Sequence, residues 1–265
     1  MSEQVITYEL DGTIALIGLD RGAKRNALSR ALQEQLREAA LRAGEEARVA
    51  VVYSHSEHFC AGLDLAEAAK WMNDREAQFR NRTRSGKPFE EIARSPIPFV
   101  AAISGACIGG GLELASSCHI RVADESTFFA LPEGQRGIYI GGGGSVRVAR
   151  LLGVARMTDL MLTGRVLTAA EGERFNLVQY LVPKGQHLER AKSLARRVAE
   201  NEPRTNWAVV NALPRIQNFS HEDGLFVEGL VVSAVASSES TQRLNDFIEK
   251  RAKPIARPGT SGDGL

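Results

Sequence analysis

Two short apolar runs constrain the fold of this chain more than any other feature. Val49–Tyr53 and Phe99–Ile103 contain no charged residue and no polar alternation, which is typical of strands that are buried on both faces of a sheet. Strands and helices alternate through the first half of the chain, and helices dominate the second half. The pattern predicts one α/β domain followed by a helical extension.

Two local patterns define the start of the chain. Val5–Leu10 and Thr13–Leu19 alternate apolar and polar residues around Asp11-Gly12, which predicts a β-hairpin. Ser29 stands where an N-cap is expected for a helix that runs to about Arg42. Further along, a glycine-dense loop follows Pro132, and from Val146 onward the sequence predicts mainly helices.

Composition excludes several classes of protein. The 265 residues include 33 Lys and Arg against 32 Asp and Glu, a net charge of +1, whereas dedicated nucleic-acid binders usually show a basic excess. No apolar run approaches the roughly 18 residues of a membrane span. The first ten residues contain acidic but no basic side chains, unlike a signal peptide. The three cysteines, an odd number, predict reduced thiols in a cytoplasmic protein. They are Cys60, Cys107 and Cys118. The charge balance and the lack of a long apolar run predict no nucleic-acid and no membrane partner.

Familiar nucleotide, metal and nucleophile motifs do not fit. Cys107 occupies the place of the second glycine of G-x-G-x-x-G, and the run Gly141–Gly144 lacks the lysine of a P-loop. No serine lies in G-x-S-x-G. The five histidines do not form H-E-x-x-H, and we expect surface or structural roles for them and no metal site. The cysteines are interpreted as small apolar residues rather than nucleophiles.

Three segments remain as candidates for a catalytic site: Phe59–Leu65, Gly105–Ala115 and Phe128–Gly134. Glycines at a helix start leave outward-pointing N–H groups at the positive end of the helix dipole, which suits a developing negative charge. Glu113 lies one turn into that helix. The alternative interpretation makes Glu113 a surface capping acid and Glu133 a solvated loop acid.

These segments belong to a larger set of motifs in a specific order. The set comprises D-R-G-A-K-R-N-A-L at Asp20–Leu28, A-G-L-D-L at Ala61–Leu65, G-G-G-L-E-L-A at Gly109–Ala115, F-F-A-L-P-E at Phe128–Glu133, L-T-G-R at Leu162–Arg165 and F-I-E-K-R at Phe247–Arg251. Through them the chain resembles the crotonase superfamily, also called the enoyl-CoA hydratase/isomerase family, over roughly Thr7 to Pro254.

The resemblance implies a fold and an assembly. The fold would be a crotonase-like α/β spiral of stacked β-β-α turns that form two nearly perpendicular sheets. It would occupy residues 1–200, with a helical trimerisation and CoA-capping region in residues 201–265. The family also implies homotrimers, commonly paired into hexamers.

The resemblance also assigns site residues. The backbone N–H groups of Leu63 and Gly110 would form an oxyanion hole for the thioester carbonyl. Coenzyme A, which is part of the substrate rather than a separate cofactor, would be held by two groups of residues. The first group lies near the site: Lys24, Ala61, Asp64, Leu65 and Gly141. The second, Phe247 and Lys250, matches C-terminal positions that can reach the CoA of a neighbouring subunit.

The two acids favour one reaction. Hydratases of this family carry one glutamate in the G-G-G-x-E segment and a second about twenty residues on, and Glu133 follows Glu113 by 20 residues. We therefore expect an enoyl-CoA hydratase in which Glu113 activates water and Glu133 protonates C2. The alternatives are another crotonase reaction, such as Δ3–Δ2 isomerisation, hydrolysis or decarboxylation, and a non-catalytic RNA-binding member.

The chain departs from the usual hydratase pattern around the glycine loop. Ile140 replaces a proline, and Gly142 replaces an alanine, which predicts a more flexible loop. Arg136 is an unusual residue there, and it would meet a substrate carboxylate or form a surface salt bridge. A lysine often present around Asn206–Leu213 is absent, with Asn211 nearby. Candidates for the acyl pocket are Trp71, Met72, Phe79 and Tyr139, of which the first three are equally compatible with the core.

Overall fold

The computed structural model describes residues 3–72, 74, 76 and 87–251. The chain divides into two compact units, Met1–Asn211 and Ala212–Leu265. The predicted functional boundary after residue 200 stays a prediction. The helix Pro203–Asn211 belongs to the first compact unit.

The predicted hairpin at the start of the chain is confirmed. Strands β1 (Ile6–Asp11) and β2 (Ile14–Leu19) pair antiparallel, with Ile6 opposite Leu19 and Asp11 opposite Ile14. Gly12 has φ +61° in the connecting turn, a conformation that glycine adopts without steric cost. The hairpin forms one edge of the main sheet.

The main sheet has six strands in the order β1-β2-β3-β4-β6-β9. From β2 to β9 all neighbours are parallel. The added strands are β3 (Val49–Ser54), β4 (Phe99–Ile103), β6 (Ile120–Asp124) and β9 (Tyr180–Val182). The two apolar runs that predicted buried strands are thus adjacent central strands.

Both faces of this sheet are covered, which explains the absence of polar alternation. Ile14 and Leu16 face a cluster with Leu194 on the helix His187–Ala199, whereas Ile17 and Leu19 face the larger core. Neighbouring residues of one strand therefore enter different hydrophobic clusters, as the two-residue period of a strand requires.

The second sheet has three strands, in the order β5-β7-β8. They are β5 (Ala106–Ile108), β7 (Phe128–Ala130) and β8 (Val166–Thr168). The sequence did not predict β5, β8 or β9. Each has three residues, too few to display a two-residue period against the surrounding pattern.

Twelve α-helices lie within the described residues. The nine in the first unit are α1 (Arg30–Glu46), α2 (Leu65–Met72), α3 (Lys87–Ala93), α4 (Gly110–Ser117), α5 (Gly144–Leu152), α6 (Val154–Thr163), α7 (Ala169–Arg174), α8 (His187–Ala199) and α9 (Pro203–Asn211). The three in the second unit are α10 (Leu213–Ile216), α11 (His221–Val235) and α12 (Ser238–Ile248). Ser29 caps α1 as predicted, because its side chain accepts a hydrogen bond from the Leu32 N–H.

Many large apolar side chains of the second unit are exposed to solvent. Phe226 is 69% exposed and Leu230 is 56% exposed on α11, and Phe247 and Ile248 are also exposed on α12. Helices of this kind usually bury their apolar faces against a partner. Among the residues that the structure describes, no helix has the length and apolar character needed to cross a membrane.

Candidate active site

Two glycine-containing segments lie side by side at the centre of the candidate site. The Cys60 N–H donates to the Ala106 carbonyl at 2.9 Å, and the Ile108 N–H donates to the Cys60 carbonyl at 3.0 Å. This pairing joins the segment Phe59–Leu65 to β5, which leads into α4. The third segment, Phe128–Gly134, joins them because β7 pairs with β5. The structure thus brings together all three segments that the sequence marked.

The backbone amides of Leu63 and Gly110 are neighbours. A Cβ atom placed on Gly110 would lie 3.6 Å from the Leu63 nitrogen. A side chain on Gly62, which has φ +89°, would lie 2.8 Å from the Ile108 carbonyl oxygen, so only glycine permits this approach. Within the described part of the chain, neither Leu63 N–H nor Gly110 N–H donates to a backbone or side-chain acceptor. Two adjacent, unpaired donors suit a developing oxyanion.

Glu113 is buried beside these amides rather than exposed, so the interpretation as a surface capping acid is wrong. Its Oε1 atom accepts hydrogen bonds from Gly142 N–H at 2.6 Å and from Gly144 N–H at 2.9 Å. The pKa of the Glu113 carboxyl is raised to about 7. Burial is the main cause and nearby Glu133 contributes to the rise, while the two amides and Arg147 oppose it. A carboxyl with this pKa can exchange protons near neutral pH.

Glu133 is also buried, which overturns its interpretation as a solvated loop acid. Its Oε1 atom lies against Gly109, where a Cβ atom would be only 2.7 Å away. Its Oε2 atom is buried and has no hydrogen-bond partner among the described residues. Burial raises the pKa of this carboxyl as well. Together with Glu113, it forms a pair of buried acids next to the Gly109–Gly110 turn.

The glycine loop after Glu133 is packed at three of its four residues. A Cβ atom on Gly142 would lie 2.6 Å from the Phe89 ring and 3.0 Å from Glu113 Oε2. A Cβ atom on Gly144 would lie 2.9 Å from Glu113 Cγ. Gly143 has φ +93°. Only Gly141 is open, since a Cβ atom there meets nothing within 4 Å. Absence of side chains therefore lets the loop close on Glu113.

Arg147 braces the same loop from the first turn of α5. Its Nη2 donates to the Gly142 carbonyl, and its Nη1 pairs with Glu90 Oε1 on α3 at 2.6 Å. Sequence analysis did not identify Arg147 or Phe89. The only local signal for Arg147 is a cation one turn after a glycine run, and Phe89 has none because its contact with Gly142 is formed by the fold.

Three of the predicted CoA-binding residues, Ala61, Asp64 and Leu65, lie at or just before the start of α2. The Ala61 N–H donates to the Arg25 carbonyl at 2.9 Å, and Leu65 is 44% exposed. Asp64 forms a salt bridge with Arg21 at 2.8 Å. Burial raises the pKa of the Asp64 carboxyl, but the hydrogen bonds from the Glu67 N–H and from Arg21 outweigh it, so the pKa is lowered. Lys24 is exposed in the short helical turn Gly22–Lys24.

Asn26 connects the loop before α1 to the segment that precedes Leu63, and its motif alone predicted no role for it. Its Nδ2 donates to the carbonyls of His58 and Phe59, each at 3.0 Å, and its side chain is fully buried. An asparagine with φ +53° is uncommon outside glycine-like turns. Asn26 therefore fixes the segment that precedes Leu63.

Other predicted residues are placed as follows. Phe247 and Lys250 are exposed in the second unit, where the Lys250 N–H donates to the Phe247 carbonyl at 3.1 Å. Arg136 and Tyr139 are exposed. The side chains of Trp71 and Met72, and all of Phe79, lie outside the described residues.

The cysteines are buried free thiols, as expected for small apolar residues. Burial raises the pKa of the Cys60 and Cys118 thiols to about 12. A thiol with such a pKa is a poor nucleophile at neutral pH. The chemistry of the site therefore centres on the two glutamates.

Comparison with known proteins gives the site its context. A family model described as enoyl-CoA hydratase/isomerase matches residues 9–256. The chain belongs to the enoyl-CoA hydratase/isomerase family. Structures of the crotonase superfamily share its mixed α/β fold, as the resemblance implied.

Individual members of the family match most of this chain. A Rhodopseudomonas palustris protein, assigned provisionally as an enoyl-CoA hydratase, has a TM-score of 0.87 and 42% identity, covering 93% of this chain and 95% of that one. Enoyl-CoA hydratase of Bacillus anthracis has a TM-score of 0.87 and 31% identity, covering 93% and 97%. Mitochondrial methylglutaconyl-CoA hydratase of Mus musculus is 32% identical, covering 90% of this chain and 78% of its own.

Proposed function

We propose that this protein is an enoyl-CoA hydratase, which adds water reversibly across the C2=C3 bond of a 2-enoyl-CoA thioester. The observation that carries the proposal is the pair of buried carboxyls, Glu113 and Glu133, beside the unpaired amides of Leu63 and Gly110. Hydration needs both features, because a base and an acid must act while the thioester oxygen carries negative charge. The names of related proteins support the same reaction class.

The two amides act on the thioester carbonyl. As water attacks C3, electron density moves through C2 to the carbonyl oxygen and forms an enolate. The N–H groups of Leu63 and Gly110 donate to this oxygen, and each well-aligned donor contributes about 3–4 kcal/mol to transition-state stabilisation. The positive end of the α4 dipole adds to their effect.

The two carboxyls handle the protons. Glu113, as carboxylate, takes one proton from water while the oxygen bonds to C3. Glu133, as carboxylic acid, gives its proton to C2, which completes the saturated 3-hydroxyacyl thioester. One water is consumed, and proton transfer from Glu113 to Glu133 restores the starting state. The reverse reaction exchanges these duties.

The CoA portion would lie over the loops that precede α1 and α2. Lys24 is an exposed cation suited to a phosphate, and the backbone of Ala61, Asp64 and Leu65 borders the Leu63 amide. Gly141 has open space around it, since a Cβ atom there would meet nothing within 4 Å. Phe247 and Lys250 are proposed to contact CoA bound to a neighbouring subunit.

A homo-oligomer, a trimer or a dimer of trimers, forms part of the proposal. The exposed apolar side chains of the second unit support it, since a monomer would leave them in water. In such an oligomer, Phe247 and Lys250 could contact CoA of a neighbouring subunit, although the second unit contains neither acid of the proposed reaction.

The decisive experiment follows the loss of conjugated-thioester absorbance when crotonyl-CoA is hydrated. Wild type and the variants E113Q and E133Q are compared, with CoA binding measured separately. Removal of either acid should reduce kcat by on the order of 10²–10⁴ while CoA binding is retained. Tight CoA binding by wild type with no hydration of crotonyl-CoA or of branched, aromatic and dicarboxylic enoyl-CoA would reject the proposal.

The same variants separate hydration from Δ3–Δ2 isomerisation. An isomerase needs one acid to move a proton between C2 and C4, and the unpartnered Oε2 of Glu133 favours that residue as the group. Hydration that survives E113Q would reject water activation by Glu113. Isomerisation of a 3-enoyl-CoA by E113Q, without hydration in wild type, would establish the alternative.

The RNA-binding alternative receives no support from α1. Its Arg30, Arg37 and Arg42 side chains pair with Glu34, Glu91 and Glu46 at 2.9, 3.1 and 2.9 Å, respectively. Cations that are already paired with carboxylates attract the phosphates of RNA only weakly.

A further inference from the structure

Arg147 occupies an unusual position relative to the proposed base. It belongs to the first turn of α5, yet its guanidinium turns back over the glycine loop, where a Cβ atom on Gly143 would overlap it. The side chain is only 16% exposed. Its three nitrogens have different surroundings: Nη1 pairs with Glu90, Nη2 donates to Gly142, and Nε is buried without a partner among the described residues.

Three consecutive peptide units connect Arg147 to Glu113. The units that contribute the N–H groups of Gly142 and Gly144 both point at Glu113 Oε1. The unit between them, formed by the Gly142 carbonyl and the Gly143 nitrogen, points its oxygen at Arg147 instead. The two outer N–H groups can converge on one carboxylate oxygen because the middle unit faces the other way.

Within the described residues, no hydrogen bond from the glycine loop itself holds that middle unit. It is flanked by two glycines, and a peptide between glycines rotates with little steric resistance. Gly143 has φ +93°, a conformation that is confined mainly to glycine. The Gly142 carbonyl oxygen accepts a hydrogen bond from Arg147, and the ion pair with Glu90 fixes the guanidinium in turn.

We propose that Arg147 is a positioning residue for hydration, because it holds the Gly142–Gly143 peptide and thereby keeps two N–H groups on Glu113. The inference rests on the proposed function, in which Glu113 activates water. Arg147 does not touch the substrate or the reacting atoms. It acts by fixing the direction of one carboxylate and by placing a positive charge near it.

The charge supports the same conclusion independently of the hydrogen bonds. Among the groups facing Glu113, burial and Glu133 raise the pKa of its carboxyl, whereas the Gly142 and Gly144 amides and the Arg147 cation lower it. Loss of the cation therefore favours the protonated carboxyl, which cannot accept a proton from water.

Three variants test the proposal. R147M removes the charge and both hydrogen bonds, and R147K keeps the charge but cannot reach both acceptors with a planar fork. R94M is the matched control. Arg94 also pairs with Glu90, at 3.0 Å, but it is 71% exposed. Within the described residues it makes no hydrogen bond to the glycine loop. Thermal denaturation establishes that each variant is folded, and kcat, KM and the pH profile of kcat/KM are measured with crotonyl-CoA.

We expect R147M to lower kcat by roughly 10–100-fold, the size of effect produced by small displacements of catalytic groups, while KM changes by less than about threefold. The acidic limb of its pH profile should move to higher pH. R147K should restore the position of that limb and only part of kcat, and R94M should match wild type. A folded R147M or R147K with the wild-type kcat and pH profile would overturn the proposal.

A second readout does not depend on turnover. Carbon-13 labelling of glutamate carboxyls allows Glu113 to be titrated by NMR, with E113Q used for assignment. Loss of Arg147 should raise the Glu113 pKa in R147M but not in R94M, and an unchanged titration would overturn the proposed coupling. If wild type binds acyl-CoA without hydrating it, the proposed function fails, and this titration still decides whether Arg147 controls Glu113.

Discussion

The ring of Phe89 lies directly against Gly142, at the place where an alanine Cβ would stand 2.6 Å from the ring. Phe89 is 3% exposed, so it has little room to withdraw. This contact gives a physical reason for the glycine at position 142, where the family resemblance led us to expect alanine. The need for glycine at position 142, beside the proposed base, is thus set by a side chain 53 residues earlier in the sequence.

The Phe89–Gly142 contact predicts a coupled pair of substitutions. G142A should destabilise the protein by about 1–3 kcal/mol through overpacking, and it should lower kcat because the new methyl group also approaches Glu113. F89L should relieve part of this loss, with a coupling free energy of roughly 1 kcal/mol in urea denaturation. G141A is the control for stability and should change it by less than about 0.5 kcal/mol. Additive effects of G142A and F89L would contradict the contact.

The raised pKa of Glu113 predicts a pH-dependent cost to stability. Between its usual value of 4.5 and about 7, the unfolded chain releases a proton that the folded protein retains. Stability is therefore fully present below pH 4.5, falls as pH rises through about 7, and is constant above. E113Q removes this cost, so its Tm should exceed that of wild type by several degrees at pH 8.

The same comparison at acidic pH provides the control. Well below pH 4.5 the two proteins should have similar Tm values, because Glu113 is then protonated in both the folded and the unfolded state. A Tm difference that does not depend on pH would show that Glu113 ionises with its ordinary pKa in the folded protein.

The Arg21–Asp64 salt bridge predicts weaker CoA binding when it is broken. Both side chains are less than one-fifth exposed, at 17% and 13%, and Asp64 Oδ1 also accepts a hydrogen bond from the Glu67 N–H at the start of α2. D64N should raise the Kd for CoA about 5–10-fold, which is roughly 1–1.4 kcal/mol. This is part of the roughly 1.5–3 kcal/mol that a charge-assisted hydrogen bond contributes, because the bond acts on CoA only through the position of the loop.

Asp159 offers a matched control for this prediction. It pairs with Arg165 at 3.6 Å, and both side chains are almost half exposed. Surface pairs of this kind contribute little, so D159N should leave the Kd unchanged. Equal CoA affinity for D64N and wild type in calorimetric titrations would remove Asp64 from the binding site.

The exposed apolar residues of α11 predict the behaviour of the assembly. Phe226 and Leu230 lie four residues apart, on one side of the helix. F226D and L230D should shift wild-type oligomers towards smaller species in sedimentation velocity. L10D places the same charge on an exposed leucine of the first unit, 42% exposed, and should leave the sedimentation coefficient unchanged. A monomeric wild type would reject the proposed oligomer.

Local sequence patterns predicted much of the fold and identified the two candidate acids. The Asp11-Gly12 turn, the Ser29 cap and the apolar strands β3 and β4 follow from patterns within a few neighbouring residues, and each is present in the structure. The strands β5, β8 and β9 escaped prediction because pairing with a distant neighbour defines them. A three-residue segment has no periodicity of its own.

The sequence by itself determined the family, the spacing of Glu113 and Glu133, and the glycines that permit close backbone approach, because these properties reside in short motifs. Only the tertiary structure decided that both acids are buried and that Gly142 and Gly144 donate to Glu113. The same holds for the Arg147 and Phe89 contacts with the loop. Desolvation and hydrogen-bond direction depend on which distant segments pack together, and no motif in a single stretch of chain specifies them.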